Sequence, residues 1–415
     1  MLSSRLLEFL LVIHVAVFKQ WTQAFLGVIS HRHGIPLRSS FGVDDVLRDG
    51  LFSFLNIEGP NSIQAEALPL VMHGKNVTIM AQTGSGKTLI FLLPMLQSVL
   101  RLRESEMNLK LPETRVPFAI VLSPTKLLCE QHRRVAENIL SAEVNEILFS
   151  TPDELMDDIR SARVSLDLIK IVALDEVDAI LYNKNDDGFT QLASQLMEFL
   201  PHHPIQFICT TAYLTEAQKV ALLHRDFTNM IWIGERVLGR SNVMVPTLRQ
   251  RFKYFSGNLH DKLMGVIRES QKDDWFRQGS TIIFCPNVDS AESLCRRIAT
   301  DIGIEVLLLH ENMEFDSQNE ILIRMQEQSP DKAQNLDGIL LVCTEVASRG
   351  LDIPNVRHVI LQDVPIDISD FLHRAGRTAR RGQIGVLTCL VKTGTSDYSR
   401  FNHLHALKDA SKLSF

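Results

Sequence analysis

The segment AQTGSGKT, residues 81–88, combines two closely spaced glycines with a lysine and a hydroxyl side chain. It lies between the apolar runs NVTIM and LIFLLPMLQSVL, so it joins a predicted strand to a predicted helix. Glycines let backbone N–H groups approach an anion, and a helix N-terminus attracts negative charge. This context predicts a phosphate-binding loop rather than a chance turn, with Lys87 near the β- and γ-phosphates of a nucleotide and the Thr88 hydroxyl on Mg²⁺. The predicted nucleotide-binding residues of the loop are Gln82, Thr83, Gly84, Ser85, Gly86, Lys87 and Thr88.

Two adjacent acidic residues, Asp175 and Glu176, end the apolar run IKIVAL. Alone, such a pair would be interpreted as a solvated acidic turn. Phosphoryl transfer, however, depends on charge neutralisation and on positioning of the attacking group. Beside a phosphate-binding loop, Asp175 is therefore predicted to hold Mg²⁺ through water and Glu176 to orient or deprotonate the attacking water.

Arginines three residues apart occur in DFLHRAGRTARRG, residues 370–382. Their planar guanidinium groups match the oxygens of a phosphate. We predict that Arg377 and Arg380 face the γ-phosphate across a cleft as arginine fingers, while His373 and Arg374 brace the loop and relay to the phosphate-binding half of the chain. The alternative interpretation is an exposed basic helix end.

Short β-branched runs alternate with helical patterns from residue 76 onward, which is typical of parallel sheets covered by helices on both faces. The first series of predicted strands is NVTIM, FAIVL, EILFS, IKIVAL, IQFICT and MIWIG, and the second is TIIFC, EVLLL, ILLVC, HVILQ and GVLTCLV. Functional loops of such sheets lie at the carboxyl ends of the strands. The prediction is an α/β fold with two tandem domains, at residues 41–237 and 248–415, joined by a linker at 238–247.

The composition of the 415 residues is that of an ordinary globular protein, with 45% hydrophobic and 22% charged residues. Because the net charge is −6, a nucleic acid must bind to a local basic track rather than to a generally cationic surface. The six cysteines are dispersed without zinc-type spacing, which predicts reduced thiols and no metal cluster.

Together these segments resemble the DEAD-box RNA helicases of superfamily 2, from about Phe41 to the C-terminus. In the first domain, Phe41 with GPNSIQ (59–64) resembles the Q motif, PTKLLCEQ (124–131) motif Ia, TPDEL (151–155) motif Ib and DEVD (175–178) a variant motif II. In the second domain, IIFCP (282–286), CTEVASRGLDIP (343–354) and HRAGRTAR (373–380) resemble motifs IV, V and VI. The family has two RecA-like domains with ATP and RNA bound at the interdomain cleft.

The resemblance implies an enzyme that hydrolyses ATP with Mg²⁺ and separates RNA duplexes locally through sequence-independent backbone contacts. Gln64 would read the adenine edge with Phe41 nearby, and Asp352 would hold the ribose hydroxyls. The implied RNA-binding residues are Pro124, Thr125, Lys126, Thr151, Pro152, Thr344, Arg349 and Gly350. The residues implied in interdomain coupling are Thr211, Ala212, Tyr213, His373 and Arg374.

Several departures from the family pattern affect the residues implied in RNA binding and coupling more than those implied in ATP binding and hydrolysis. Tyr213 stands where motif III of Ser-Ala-Thr has its small threonine, so coupling of hydrolysis to strand separation is expected to weaken. In motif Ib, Asp153 and Glu154 replace glycine and arginine and place negative charge near an RNA phosphate. Glu345 replaces the motif V aspartate, and Ile321 occupies a position where an arginine is usual.

The interval between motifs Ia and Ib is shorter than in the family. The segment HRRVAENILSAEVNEILFS (132–150) predicts one helix and one strand, whereas the family has a second helix and strand there, which would take about 25 further residues. The first domain is therefore predicted to lack one αβ unit near 132–150. A missing exon in the gene model and a functional deletion are both open explanations.

Residues 1–40 are predicted to form a targeting presequence. The apolar run FLLVIHVAVF (9–18) is too short to span a bilayer, small residues at 22–24 suit signal-peptidase cleavage before Phe25, and acidic residues are absent between Glu8 and Asp44. A signal peptide followed by a plastid transit peptide fits this pattern. A mitochondrial presequence, or a mispredicted first exon on a cytoplasmic or nuclear protein, is the alternative.

Three functions remain open from the sequence. The first is an ATP-dependent RNA helicase, expected to act as a monomer without stable membrane association after processing. The second is an ATP-dependent RNA clamp or chaperone with poor unwinding activity, favoured by Tyr213 and the altered motif Ib. The third is an inactive product of a truncated gene model, favoured by the short interval.

Overall fold

A computed structural model describes residues 43–55, 57–104, 115–181, 204–214, 218–219, 229–234, 247–272, 279–303, 305–327, 339–347, 351–366 and 368–402. Within these ranges the chain forms two six-stranded sheets whose neighbouring strands are all parallel. The predicted α/β arrangement of two tandem domains is therefore confirmed.

The first domain contains the strands β1 (Val77–Met80), β2 (Ala119–Leu122), β3 (Ile147–Ser150), β4 (Ile171–Leu174), β5 (Gln206–Thr211) and β6 (Ile231–Ile233). Its helices within the described ranges are α1 (Asp45–Leu55), α2 (Ser62–Met72), α3 (Lys87–Glu104), α4 (Lys126–Leu140), α5 (Pro152–Arg160) and α6 (Val177–Leu181). The strand order is β3-β2-β4-β5-β1-β6. Because the strands are parallel, the loops that follow β1, β2, β3 and β4 meet at one edge of the sheet.

The second domain contains the strands β7 (Leu248–Phe255), β8 (Ser280–Phe284), β9 (Val306–Leu309), β10 (Leu340–Cys343), β11 (Val356–Leu361) and β12 (Gly385–Lys392). Its described helices are α7 (Leu259–Gln271), α8 (Val288–Ile302), α9 (Phe315–Glu327) and α10 (Ile368–Ala375), with single 3₁₀ turns at Glu345–Ala347 and Arg380–Gly382. The strand order is β7-β12-β11-β8-β10-β9. The loops after β9 and β10 therefore lie side by side.

The hydrophobic runs in the sequence predicted the strands that are buried on both faces. Each of the eleven predicted runs overlaps a strand, and every residue of β1, β2, β4, β8 and β10 is buried. The prediction missed β7, whose sequence LRQRFKYF alternates basic with apolar residues. This strand pairs only with β12 at the edge of its sheet, so it does not need a continuous apolar run.

The short interval between residues 131 and 151 contains the end of α4 and strand β3. Strand β3 pairs in parallel with β2 and is the outermost strand of its sheet. The sheet is therefore continuous, with neither the gap nor the rewired internal order that loss of a central strand would cause. The loss of an αβ unit relative to the family stays a prediction.

Several predicted features lie outside the described residues. They include the presequence at 1–40, Phe41, Arg349, Gly350 and residues 238–246 of the linker.

All six cysteines are free thiols, and all of them except Cys295 are buried. Among the described helices, none is both long enough and apolar enough to cross a bilayer.

His358, on β11, is a buried histidine that serves the core of the second domain. Its Nδ1 lies 3.1 Å from Ser270 Oγ and its Nε2 lies 2.8 Å from Thr388 Oγ1. Burial, with smaller contributions from the charges of Arg251 and Lys253, lowers its pKa from 6.5 to about 3. The neutral ring is thus the form that the folded domain accepts.

We expect this histidine to make the second domain acid-sensitive. Because the folded pKa is depressed, the stabilisation is complete above pH 6.5 and is lost as the pH falls toward 3. The free energy of unfolding should fall by up to about 1.4 kcal/mol for each pH unit below that point. Urea denaturation of the wild type and of His358→Gln at several pH values measures the effect. The variant should be less stable at neutral pH, and the difference in free energy of unfolding between the two proteins should become smaller in acid. If the free energies of both proteins changed equally with pH, the assignment would be contradicted.

Candidate functional site

The phosphate-binding loop follows β1 and ends where α3 begins at Lys87. Gly84 and Gly86 have φ angles of 78° and 75°, in the left-handed region that side chains disfavour. The Lys87 side chain folds back over the loop, and its Nζ donates hydrogen bonds to the carbonyl oxygens of Ala81 (2.7 Å) and Gln82 (2.9 Å). The loop thus has the predicted strand–turn–helix geometry of an anion cradle.

Helix α2 supports this loop through the two polar side chains of its N-terminal cap. Asn61 and Gln64 form a capping box, and their remaining amide groups point at the loop. Asn61 Nδ2 donates to Ser85 O at 2.8 Å, and Gln64 Nε2 donates to Gly86 O at 3.0 Å. The Gln64 amide therefore contacts the phosphate loop in this structure, and its contact with adenine stays a prediction.

Asp175 lies at the carboxyl end of β4, deep in the site. Its Oδ1 accepts hydrogen bonds from the Thr210 hydroxyl and from Glu176 N (3.0 Å), and its Oδ2 lies 3.1 Å from His132 Nε2. Burial acts to raise the pKa of Asp175, but the contacts with His132 and Thr210 and the charge of Lys87 bring it below its usual value. Asp175 is thus held ionised and oriented.

Glu176 differs from its neighbour in both geometry and protonation. Its backbone is left-handed, with a φ of 51°, which is uncommon for a non-glycine residue and costs about 1 kcal/mol. Burial raises its pKa, with the Asp175 charge acting in the same direction. Its Oε1 lies 3.7 Å from His373 Nδ1, and its buried Oε2 has no hydrogen-bond partner among the described residues. A basic carboxylate oxygen is thus available inside the site.

Asp178 connects the two domains. Its Oδ1 accepts a hydrogen bond from Thr211 Oγ1 (2.7 Å), and its Oδ2 accepts hydrogen bonds from Ser369 Oγ (2.5 Å) and His373 Nε2 (2.8 Å). Of these residues, Thr211 and His373 were predicted for interdomain coupling, whereas Asp178 and Ser369 were not. His373 thus touches two acidic residues of the first domain at once.

The arginines of the second domain reach the same site. Arg377 is 1% exposed, and it donates through Nε to His373 O (3.0 Å) and through Nη1 to Leu351 O (2.7 Å). Arg380 donates through Nη1 to Leu351 O (3.1 Å) and to Asp352 Oδ1 (2.9 Å). Backbone carbonyl groups thus orient both guanidinium groups, and the Asp352 carboxylate also contacts Arg380.

The two domains touch where the arginine loop meets the phosphate loop. A Cβ atom at Gly376 would lie 1.7 Å from Thr83 Oγ1, so only glycine allows this approach. The aliphatic part of Arg380 covers Gly84, at a distance of 3.4 Å from an added Cβ. The structure therefore has the closed arrangement that the arginine-finger hypothesis requires.

Further contacts brace this closed arrangement. Gln131 Oε1 on α4 accepts a hydrogen bond from Asp352 N at 2.6 Å. Tyr213 packs against the apolar core of the second domain, and Leu127 belongs to that same cluster. Ala212, next to Tyr213 in the chain, is also buried. The enlarged motif III residue thus adds apolar contact between the domains.

Arg374 was predicted to brace the arginine loop and to relay to the first domain. Its guanidinium group lies 5.7 Å from the Phe284 ring centroid, and its nitrogen atoms lie 3.6 Å from Asp363 and 3.9 Å from Asp370. These partners all belong to the second domain. Arg374 therefore supports the arginine loop from behind, while His373 makes the contact with the first domain.

A cleft of about 840 Å³ runs between the domains. Its polar walls include most of the predicted ATP-site residues from both domains. These are Gln64, Thr83, Gly84, Gly86, Lys87, Thr88, Asp175, Glu176, Asp352, Arg377 and Arg380.

The predicted RNA contacts of the described residues lie at the carboxyl ends of three strands. Thr125 caps α4 after Pro124, and Lys126 is the first residue of that helix. Thr151 caps α5, in which Pro152 is the first residue. Thr344 follows β10 and is buried.

Several contacting residues were not singled out from the sequence. Asp178 belongs to the quoted DEVD motif but was given no role, and Ser369 lies just before the quoted arginine segment. His132, on α4, orients Asp175 and is itself held by Ser123 Oγ at 3.2 Å. Glu311 accepts a hydrogen bond from Thr344. The last two are separated from their partners by 43 and 33 residues, so no local pattern could reveal them.

Comparisons with known proteins agree with this geometry. A family model described as DEAD/DEAH box helicase matches residues 61–220, and a helicase conserved C-terminal domain matches residues 262–382. DEAD-box ATP-dependent RNA helicase 10 of Arabidopsis thaliana is 32% identical over 362 residues, which cover 81% of this chain and 74% of that protein. ATP-dependent rRNA helicase rrp3 of Aspergillus fumigatus is 30% identical over 351 residues, covering 81% of this chain and 69% of that protein.

A solved structure has the same arrangement of domains. The structure of S. cerevisiae Dbp5 bound to RNA and ADP BeF3 gives a TM-score of 0.73 at 25% identity, and the match covers 90% of this chain and 93% of that one. The sheets, the interdomain cleft and the sequence relatives lead to one conclusion. The chain belongs to the DEAD-box family of ATP-dependent RNA helicases.

Proposed function

We propose that this chain hydrolyses ATP in the cleft between its two domains and uses domain closure to separate RNA duplexes locally. The observation that carries the proposal is the meeting of the phosphate loop, two acidic residues and two arginines from both domains in one cleft. Such a site is complete only when the domains are together, so closure and hydrolysis are linked by geometry.

In this proposal each side chain has one role. Lys87 pairs with the phosphates, since its ammonium group already lies inside the phosphate loop, where it donates hydrogen bonds to two loop carbonyl groups. Glu176 accepts a proton from the attacking water or orients it, because burial makes it more basic than an ordinary carboxylate. Arg377 and Arg380 stabilise the charge that develops on the transferred phosphoryl group.

Mg²⁺ is the divalent ion that these residues fit. Thr88 and Asp175 line the same cleft and offer a hydroxyl and an ionised carboxylate, and such oxygen donors suit Mg²⁺ when substrate phosphates complete its coordination. Bound there, the ion would neutralise phosphate charge. His132 and Thr210 would keep the Asp175 carboxylate in place.

A second candidate is an ATP-dependent RNA clamp that unwinds poorly. Tyr213 supports it, because its packing on the second-domain core adds apolar contact that holds the domains together. A protein that closes well but reopens slowly would grip RNA without many unwinding cycles.

Two assays separate these candidates. ATP turnover is measured with and without RNA, and displacement of a strand from a short RNA duplex is measured under the same conditions. RNA-stimulated turnover with strand displacement supports the helicase. RNA-stimulated turnover without strand displacement supports the clamp. If RNA does not stimulate turnover and no strand is displaced, both candidates are contradicted.

Gln64→Ala is expected to raise the KM for ATP and to reduce the preference for ATP over GTP. An amide donor and acceptor pair can match the adenine edge, as in other adenine contacts, and Gln64 also holds Gly86 of the phosphate loop. Steady-state kinetics with both nucleotides measure the change. Asn61→Ser is the matched control, since serine can still cap helix α2 but loses the amide donor to the loop. Equal turnover of GTP and ATP by the wild type would contradict this assignment.

Plastid targeting and a monomeric state remain proposals supported by the sequence. Residues 1–40 carry the apolar run and the lack of acidic residues described above. Fusion of residues 1–40 to a fluorescent protein tests the location, with mitochondrial or cytoplasmic fluorescence contradicting it. Light scattering of the processed chain tests the monomer, and sequencing of the transcript across codons 131–151 tests the missing exon.

A further inference from the structure

The carboxylate of Glu154 lies among the predicted RNA contacts of the first domain. Its Oε1 is 2.5 Å from Lys126 Nζ, and its Oε2 accepts hydrogen bonds from Thr151 N (3.3 Å) and Thr151 Oγ1 (3.1 Å). Partial burial acts to raise the pKa of Glu154, but Lys126 and Thr151 outweigh burial and lower it. The donors predicted for an RNA phosphate are therefore already bound to an anion of the chain itself.

The second domain has the same kind of contact. The Thr344 hydroxyl, another predicted phosphate donor, donates its hydrogen bond to Glu311 Oε2. Thr344 is 2% exposed, whereas Glu311 is exposed. An RNA phosphate that takes this hydroxyl must therefore displace the carboxylate.

The two contacts occupy equivalent places in the two sheets. Strands β3 and β9 are each the outermost strand of a sheet, next to β2 and β10 respectively. In each domain the acidic residue follows the outermost strand, and it reaches a donor that follows the neighbouring strand: Lys126 after β2, or Thr344 after β10. The predicted RNA-binding residues, here called the RNA track, are thus covered by a carboxylate in the same way in both domains.

We propose that Glu154 and Glu311 compete with RNA phosphates for these donors, so that the chain binds RNA by exchanging its own carboxylates for phosphates. The inference rests on the proposed function, because it requires Lys126, Thr151 and Thr344 to contact RNA. A carboxylate and a phosphate are both anions, so they repel one another at the same donors and compete for them. RNA affinity is therefore lower, and RNA release faster, than the donors alone would allow.

The exposure of the groups makes this competition weak enough to be reversed. The side chains of Lys126 and Glu154 are 62% and 38% exposed, and exposed ion pairs contribute little because water and salt screen them. A phosphate can therefore replace Glu154 in a normal binding event. The carboxylates tune RNA affinity and do not block the site.

The test measures binding of a short fluorescent oligouridine in the presence of a non-hydrolysable ATP analogue. Glu154→Gln and Glu311→Gln are each expected to tighten binding about fivefold, as expected for removing one exposed competing charge. In Glu154→Gln the salt dependence should also steepen by about 0.7 in log K against log salt, because Lys126 becomes available to neutralise one phosphate. A misfolded variant would lose affinity, so a gain cannot arise from damage.

Matched controls remove one negative charge from the same elements without touching the predicted donors. Asp157→Asn lies on the same helix as Glu154, and Glu314→Gln lies on the same loop as Glu311, and both side chains are exposed. We expect each control to change affinity by less than about twofold at physiological salt. Equal gains in the controls would overturn the proposal, because the effect would then be one of general charge.

Lys126→Ala distinguishes the inference from the function on which it rests. The substitution should cost more affinity in the Glu154→Gln background than in the wild type, because only there is Lys126 free to bind a phosphate. Equal losses in both backgrounds, or no gain in either Gln variant, would overturn the inference and leave the RNA track in place. If Lys126→Ala and Thr344→Ala change nothing in any background, the RNA track itself is misassigned and the inference falls with it.

Discussion

Replacing Arg380 with Ala is expected to cut RNA-stimulated ATP turnover by about 10³-fold, the lower end for loss of an arginine finger. Arg380 and Lys87 line the same cleft. Arg380 reaches this cleft only because the second domain is closed over the phosphate loop. ATP affinity measured without RNA should change little. The effect should appear in turnover, because the charge that Arg380 stabilises develops in the transition state.

Arg377→Ala should give a similar loss, with an added structural cost. Arg377 is almost fully buried and donates hydrogen bonds to His373 O and Leu351 O. Its removal also takes the side-chain donor from His373 O, whereas Leu351 O keeps its hydrogen bond from Arg380. Arg380→Ala is therefore the cleaner test, and thermal stability should be measured for both. Lys should rescue either position poorly, because an ammonium lacks the planar arrangement of donors.

The competing hypothesis is that these arginines bind the RNA backbone. In that case turnover at saturating RNA would be normal, while RNA affinity would fall and its salt slope would decrease by about one unit for each arginine removed. That result would contradict the assignment of the arginines to the ATP cleft. Titration of RNA at several salt concentrations, with turnover measured in parallel, separates the two outcomes.

Replacing Glu176 with Gln is expected to slow ATP turnover at least about a hundredfold while leaving ATP binding nearly unchanged. The two side chains have the same shape, but Gln cannot accept the proton of the attacking water. The buried Oε2 of Glu176 has no hydrogen-bond partner among the described residues, so substitution breaks no structural contact at that atom. Fluorescent-nucleotide binding and single-turnover hydrolysis measure the two effects separately.

Lys87→Ala is the matching control for loss of binding. It removes the charge that pairs with the phosphates, so both nucleotide affinity and turnover should be lost. If Glu176→Gln weakened nucleotide binding as much as Lys87→Ala, Glu176 would be a structural or binding residue rather than the group that acts on water.

The ATP site was the part of the molecule most predictable from the sequence. The phosphate loop is a contiguous strand–turn–helix segment, so its residue types, order and spacing already specify its geometry, including the left-handed glycines Gly84 and Gly86. Asp175 and Glu176 were predictable for a similar reason, since an acidic pair that ends a buried parallel strand must lie at the same sheet edge as the loop. The buried strands followed from their continuous apolar runs.

The edge of the second sheet was less predictable. Strand β7 is half exposed and basic, so its pattern does not differ clearly from that of a polar linker. It becomes a strand because β12 offers a full ladder of backbone hydrogen-bond partners over eight residue pairs. That partner lies more than one hundred residues further along the chain.

By itself, then, the sequence determined the fold class, the order of the motifs and most of the polar residues that line the interdomain cleft, because these depend on local periodicity and on short contiguous segments. Only the tertiary structure decided which side chains meet across the domains. Asp178 joins Ser369 and His373 across 191 and 195 residues, and Glu154 and Glu311 take the donors predicted for RNA. Such contacts depend on how loops from separate strands converge at one sheet edge and on the close approach of Gly376 to Thr83. Neither is encoded in the spacing of neighbouring residues, because both arise from the packing of elements that are distant in the chain.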